Sequence, residues 1–70
     1  MADAPILPHS RVVRALKKAG FRVLRQGKHV VMTDDSRVVT IPRHNPVNAI
    51  TMGNIVRDAG LSNEEFRKLL

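Results

Sequence analysis

Phe21-Arg22-Val23-Leu24-Arg25-Gln26-Gly27-Lys28-His29-Val30-Val31-Met32-Thr33-Asp34-Asp35-Ser36-Arg37-Val38-Val39-Thr40-Ile41-Pro42 is the stretch that decides the fold. Residues 21–25 alternate apolar and polar side chains, the period of a half-buried strand. Gly27 then marks a tight turn, on the expectation that glycine supplies a positive φ there. A second strand follows over 30–33. Asp34-Asp35-Ser36 is turn chemistry, because short polar side chains bond their own backbone. A third strand runs over 37–41, up to Pro42. Two short hairpins in succession make a three-stranded antiparallel meander, and such a sheet needs cover on one face.

The flanking segments supply that cover. Upstream, Ser10 is placed to cap a helix over 11–19, in which Val12, Leu16 and Ala19 share one face while Arg11, Arg14 and Lys18 share another. Gly20 closes it. Downstream, the loop 42–48 has proline near both ends and leads to Thr51, the expected cap of a second helix with Met52, Ile55, Val56 and Ala59 on its apolar face. Gly60 ends that helix. Ser62 and Glu65 form the sequence pattern of a capping box for a short third helix, from which Phe66, Leu69 and Leu70 pack back. The order is α-β-β-β-α-α, an α+β unit with a three-stranded antiparallel sheet packed by helices on one face. Residues 1–8, with two prolines and no periodicity, read as an irregular lead-in, and 9–70 as one domain.

A chain of 70 residues has room for one small core. It has no cysteine, so neither disulfides nor thiolate metal sites support it. No uncharged stretch approaches the roughly 20 apolar residues that span a bilayer, and the N-terminus lacks the basic start of a signal peptide, so a cytoplasmic protein is expected. The net charge is +6, and residues 11–43 hold nine Lys and Arg against Asp34 and Asp35 alone. A polyanion is the natural partner for such a distribution. Two phenylalanines without tyrosine or tryptophan disfavour single-strand recognition by base stacking.

His29 is the candidate centre of chemistry. Alternation sets His29, Val31 and Thr33 on one face of the second strand and Val30 and Met32 on the other. If helices cover the latter face, His29 lies on the open side beside Lys28 and within reach of Arg25. Imidazole exchanges protons near neutral pH, and RNA carries its own nucleophile in the 2′-hydroxyl, so a histidine with a cationic clamp is a minimal ribonuclease. Strand-end histidines are also commonly just solvated, and the spacing leaves both readings open. Arg43, His44 and Asn45 sit in a basic loop, with His44 either a second proton-transfer group, a phosphate contact or inert. Arg11, Arg14 and Lys18 are either phosphate ligands or a solvated helix face. His9, His29 and His44 have neither a helical pair nor a carboxylate cluster, so no metal site and no cofactor are expected.

Four segments add a further pointer. Val13-Arg14-Ala15-Leu16-Lys17-Lys18-Ala19-Gly20-Phe21, Gly27-Lys28-His29, Val39-Thr40-Ile41-Pro42-Arg43-His44 and Ile55-Val56-Arg57-Asp58-Ala59-Gly60-Leu61, in this order, resemble the HicA (YcfA-like) family of small bacterial and archaeal toxins. The resemblance implies a fold like the double-stranded-RNA-binding domain and a single HicA-like domain over 9–70. It also implies the toxin of a type II toxin–antitoxin system: an endoribonuclease (mRNA interferase) that cleaves messenger RNA, is silenced by a HicB-type antitoxin and is monomeric when free. The family's catalytic histidine stands in a Gly-Ser-His motif that maps onto Gly27-Lys28-His29, so the resemblance implies a catalytic His29. RNA contacts are then expected from Lys28, Arg25, Arg43, Arg11, Arg14 and Lys18. Lys28 replaces the motif's serine, and the family's Gly-Thr-Leu at the second helix start reads Ile50-Thr51-Met52. A non-catalytic RNA-binding module of the same fold, and a subunit whose basic face meets an acidic protein, are the competing readings.

Overall fold

The computed structural model describes residues 7–43 and 46–70, so residues 1–6 of the lead-in, and His44 and Asn45 of the basic loop, lie outside the described residues. The elements are α1 (His9–Lys18), β1 (Arg22–Gln26), β2 (His29–Thr33), β3 (Val38–Pro42), α2 (Ala49–Asp58) and α3 (Asn63–Lys68). This is the α-β-β-β-α order of the double-stranded-RNA-binding-domain-like fold, followed by the short extra C-terminal helix α3. Among the described residues no helix is long and apolar enough to cross a membrane.

α1 buries Val12, Ala15 and Leu16 and leaves Arg11, Arg14, Lys17 and Lys18 exposed. It starts earlier than the Ser10 cap predicts. Pro8 takes the extended cap position, and its carbonyl accepts from the amides of Arg11 (3.0 Å) and Val12 (3.4 Å). Ser10 therefore lies inside the first turn. Proline serves here because a cap needs an extended backbone and an accepting carbonyl, both of which it retains. Gly20 ends the helix at φ 99°, where the Phe21 amide reaches back to the Leu16 carbonyl at 3.0 Å.

The sheet has the order β1-β2-β3 and is antiparallel throughout. β2 and β3 pair without interruption from Thr33↔Val38 to His29↔Pro42. β1 breaks the simple alternation read from its sequence. It pairs Arg22 with Thr33 and Val23 with Met32, then bulges, so that Arg25 stands opposite Val31 and Gln26 opposite Val30. Leu24 is the extra residue and is 53% exposed. The β2–β3 turn is closed by Asp34 and Thr33. The Asp34 carboxylate accepts from the amides of Ser36 (2.9 Å) and Arg37 (2.7 Å), and the Thr33 hydroxyl donates to the Arg37 carbonyl (2.6 Å) while accepting from the Asp35 amide (3.0 Å). Asp35 takes the left-handed backbone of this turn, at φ 78°.

α2 also starts earlier than predicted. The Asn48 side chain, not Thr51, is the cap, and it accepts from the Thr51 amide at 2.8 Å. Asn ranks above Thr as a cap, which explains the choice. Met52, Ile55, Val56 and Ala59 are buried as their spacing predicts. The Ser62–Glu65 capping box forms, with Ser62 N–H on Glu65 Oε1 (2.9 Å) and Glu65 N–H on Ser62 Oγ (3.0 Å). Phe66 is fully buried. The core joins these residues to Val30 and Met32 of β2 and Val39 and Ile41 of β3, with α1 and α2 against the same face of the sheet and α3 packed on α2. Leu7 packs against this core and pairs with Val47, whose amide donates to the Leu7 carbonyl at 2.8 Å.

Candidate functional site

β2 begins at His29 itself. Pairing with Pro42 fixes its backbone in the ladder, and the alternation that buries Val30 and Met32 leaves the His29 side chain exposed on the uncovered face. The turn before it has little internal support. Gly27 donates its amide to the His29 carbonyl at 3.1 Å, and its own carbonyl accepts from Arg43 Nη1 at 3.2 Å. The expected positive φ at Gly27 is not found: among the glycines only Gly20 and Gly60 adopt it. The three-residue reversal Gly27-Lys28-His29 closes without a left-handed residue. A Cβ at Gly27 would meet nothing within 4 Å, so neither conformation nor packing within the protein demands glycine here.

Arg25 reaches the open face because of the β1 bulge. Continuing the register of Arg22↔Thr33 and Val23↔Met32 would set Arg25 opposite Val30, which points into the core. The extra residue shifts it opposite Val31 instead. Arg25, Gly27, Lys28, His29, Val31 and Thr40 then line one hollow of about 400 Å³ on the uncovered face. Two cations and an imidazole share it, and among the described residues no carboxylate lines it.

The two acids of residues 11–43, Asp34 and Asp35, are held at the opposite end of β2. Backbone amides of Arg37 and Ser36 hold the Asp34 carboxyl below its usual range, and the Arg22 guanidinium, 2.7 Å away, does the same for Asp35 while raising Arg22. Exposed pairs of this kind contribute little stability. Their consequence is spatial: the negative charge is matched locally, and the His29 end of the sheet stays positive.

The remaining predicted site residues lie elsewhere. Arg43 braces the turn through Gly27 and borders a separate hollow of about 190 Å³ with His9, Ser10, Val13, Gln26 and Val30. Arg11, Arg14 and Lys18 line a third hollow of about 160 Å³ with Ala15, Leu69 and Leu70, between α1 and the end of α3. Since the helices cover the opposite face of the sheet, these three cations do not join the His29 hollow. His44 is outside the described residues. Among the described residues no three of His, Cys, Asp and Glu come together. Sequence reasoning passed over Val31 and Thr40 as walls of the hollow. Their pairing across β2–β3 follows once Asp35-Ser36 is recognised as a two-residue turn. The bond from Arg43 to the Gly27 carbonyl left no local sequence signal.

Residues 10–61 of the 70 match the family described as the HicA toxin of bacterial toxin–antitoxin. No curated protein matches the sequence.

Proposed function

Because this chain belongs to the HicA toxin family of bacterial toxin–antitoxin systems, and so has the role of a toxin with a cognate antitoxin, we propose that it acts as a metal-independent endoribonuclease on messenger RNA with His29 as its single catalytic histidine. The observation that carries this reading is the placement of exposed His29 in a hollow with Arg25 and Lys28 and, among the described residues, no carboxylate. In the proposed reaction the neutral imidazole takes the proton of a ribose 2′-hydroxyl. The freed oxygen attacks the adjacent phosphorus and the bond to the 5′-oxygen of the next nucleotide breaks, leaving a 2′,3′-cyclic phosphate. The imidazolium returns its proton to the departing oxygen. Arg25 and Lys28 hold the phosphate oxygens, whose charge is redistributed in the transition state. Arg43 positions the turn through Gly27, and Arg11, Arg14 and Lys18 hold phosphates farther along the RNA. The protein works in the cytoplasm as a monomer until a HicB-type antitoxin binds it.

The nucleophile belongs to the substrate, so the test is to replace it. With excess EDTA present, an RNA is expected to be cut to fragments ending in cyclic phosphate, and the same RNA made with 2′-deoxyribose at the cleaved position is expected to survive. RNA that is bound yet stays intact at every pH from about 5 to 8, where histidine ordinarily titrates, would establish the non-catalytic RNA-binding module instead.

A further inference from the structure

The two free edges of the sheet differ. β1 has a bulge between Val23 and Arg25 and carries Arg22 and Arg25, and bulges and charges are what protect edge strands from pairing with other chains. β3 has neither. Val38-Val39-Thr40-Ile41-Pro42 contains no charge and keeps an unbroken register with β2. The bond from the Asp34 amide to the Arg37 carbonyl (3.3 Å) sets the phase of the ladder. Bonded and non-bonded pairs alternate from there, so Val39 and Ile41 bond to β2 while the N–H groups of Val38 and Thr40 and the carbonyls of Val38, Thr40 and Pro42 face outward. Pro42 falls where its missing N–H costs no ladder bond. Among the described residues no backbone group is bonded to this outer edge. Val38, an aliphatic side chain at its start, is 60% exposed.

We propose that the outer edge of β3 is the docking site for an extended, acidic segment of a partner protein, which adds to the sheet as a fourth strand. The proposal rests on the family reading that the chain acts together with a protein partner, and it deepens that reading by giving the place and the mode. Outward N–H and C=O groups in strand register are satisfied by another peptide backbone, whose alternating amide donors and acceptors the sugar-phosphate chain of RNA lacks. A second copy of this chain would bring +6 against +6, whereas an acidic segment is attracted by that same net charge. An added strand lies about 4.8 Å beyond β3. Its side chains on the uncovered face stand beside Thr40, a wall of the His29 hollow, so docking at the edge obstructs access to the hollow.

The test uses ten-residue peptides selected for binding to the full chain from a library with glutamate fixed at alternate positions. Amide hydrogen exchange then locates them. Protection of the Val38 and Thr40 amides is expected to rise at least tenfold, with the outward amides of β1, Val23 and Gln26, unchanged. Val38→Pro removes one outward donor at the first residue of the strand and is expected to weaken binding about tenfold, while Val38→Thr, which keeps the amide, binds like the original. Failure to recover any binder, or protection at β1 or α1 in place of β3, overturns the proposal. So does protection of Val38 and Thr40 that rises with protein concentration in the absence of peptide, which would assign the edge to a second copy. RNA cleavage by the peptide-free protein is read separately, so loss of the ribonuclease reading and loss of the docking site are distinguishable.

Discussion

In the hairpin that joins β2 to β3, the turn satisfies itself. Asp34 accepts two backbone amides, Thr33 is buried while donating to the Arg37 carbonyl, and Asp35 pairs with Arg22 across the sheet. In the hairpin that joins β1 to β2, Gly27, Lys28 and His29 are all exposed. Among the described residues their support is the hydrogen bond from the Gly27 amide to the His29 carbonyl and the guanidinium of Arg43 on the Gly27 carbonyl. Both turns reverse antiparallel strands of the same small sheet. The first spends its polar groups on its own backbone, and the second leaves them directed outward. Stability is therefore expected to depend on the 34–37 turn, and chemistry on the turn that carries His29.

Substitutions that separate activity from stability test this contrast. After loss of the imidazole itself, Lys28→Ala is expected to produce the largest effect, a fall in RNA cleavage of roughly ten- to a hundredfold, the value of a charged contact to a phosphate. Its thermal midpoint should stay close to that of the original protein, because Lys28 is exposed and among the described residues it has no hydrogen bond or ion pair that braces the fold. A gain in activity with Lys28→Ser would instead show that the lysine obstructs the site. Thr33→Val comes next. It leaves the shape of a buried side chain but removes the hydroxyl from the 34–37 turn, and should cost about 1–2 kcal/mol in denaturant unfolding with cleavage per folded molecule unchanged. If activity falls as steeply as stability, the two hairpins are not functionally separate.

Acid should act on the well-bonded turn first. Asp34, Asp35 and Glu65 all have carboxyls held below their usual range, by backbone amides, by Arg22 and by the Ser62 cap respectively. Their contribution is complete above the unfolded-state range near about pH 4 and is lost as pH falls through the lower folded values. Chemical denaturation followed from pH 7 downward should show stability level to about pH 5 and declining below about 4, and Asp34→Asn should make that decline shallower. Gly27→Ala is expected to change least. With no positive φ and open space at the Cβ position, the alanine should leave stability unchanged or raise it by about 0.4–1 kcal/mol through the unfolded chain. A clear loss would show that the turn needs glycine after all.

Much of the fold was legible because local chemistry and final environment agree. The spacing of Met52, Ile55, Val56 and Ala59 identified a buried face, and the Ser62–Glu65 pair formed the predicted box. The misplaced helix starts at Ser10 and Thr51 are choices between neighbouring caps, settled by Pro8 and Asn48. The β1 bulge is different in kind. Nothing in residues 21–26 announces it, since it is a matter of register between two strands, yet it decides which face Arg25 occupies. Gly27 misled for a related reason: glycine was read as a conformational need, whereas the left-handed residue of the meander is Asp35. The placement of His29 followed from period-two alternation alone, while its hollow required both strand registers.

The central claim is that the weakly braced turn exists to present one proton-transfer group. It is tested most directly by the single-turnover rate of RNA cleavage, in excess EDTA, for the original protein and for His29→Ala. Removal of a general acid–base group predicts a fall of about 10²–10⁴ with the amide spectrum unchanged outside residues 26–31. An equal rate in the two proteins would contradict the account and remove His29 from the chemistry.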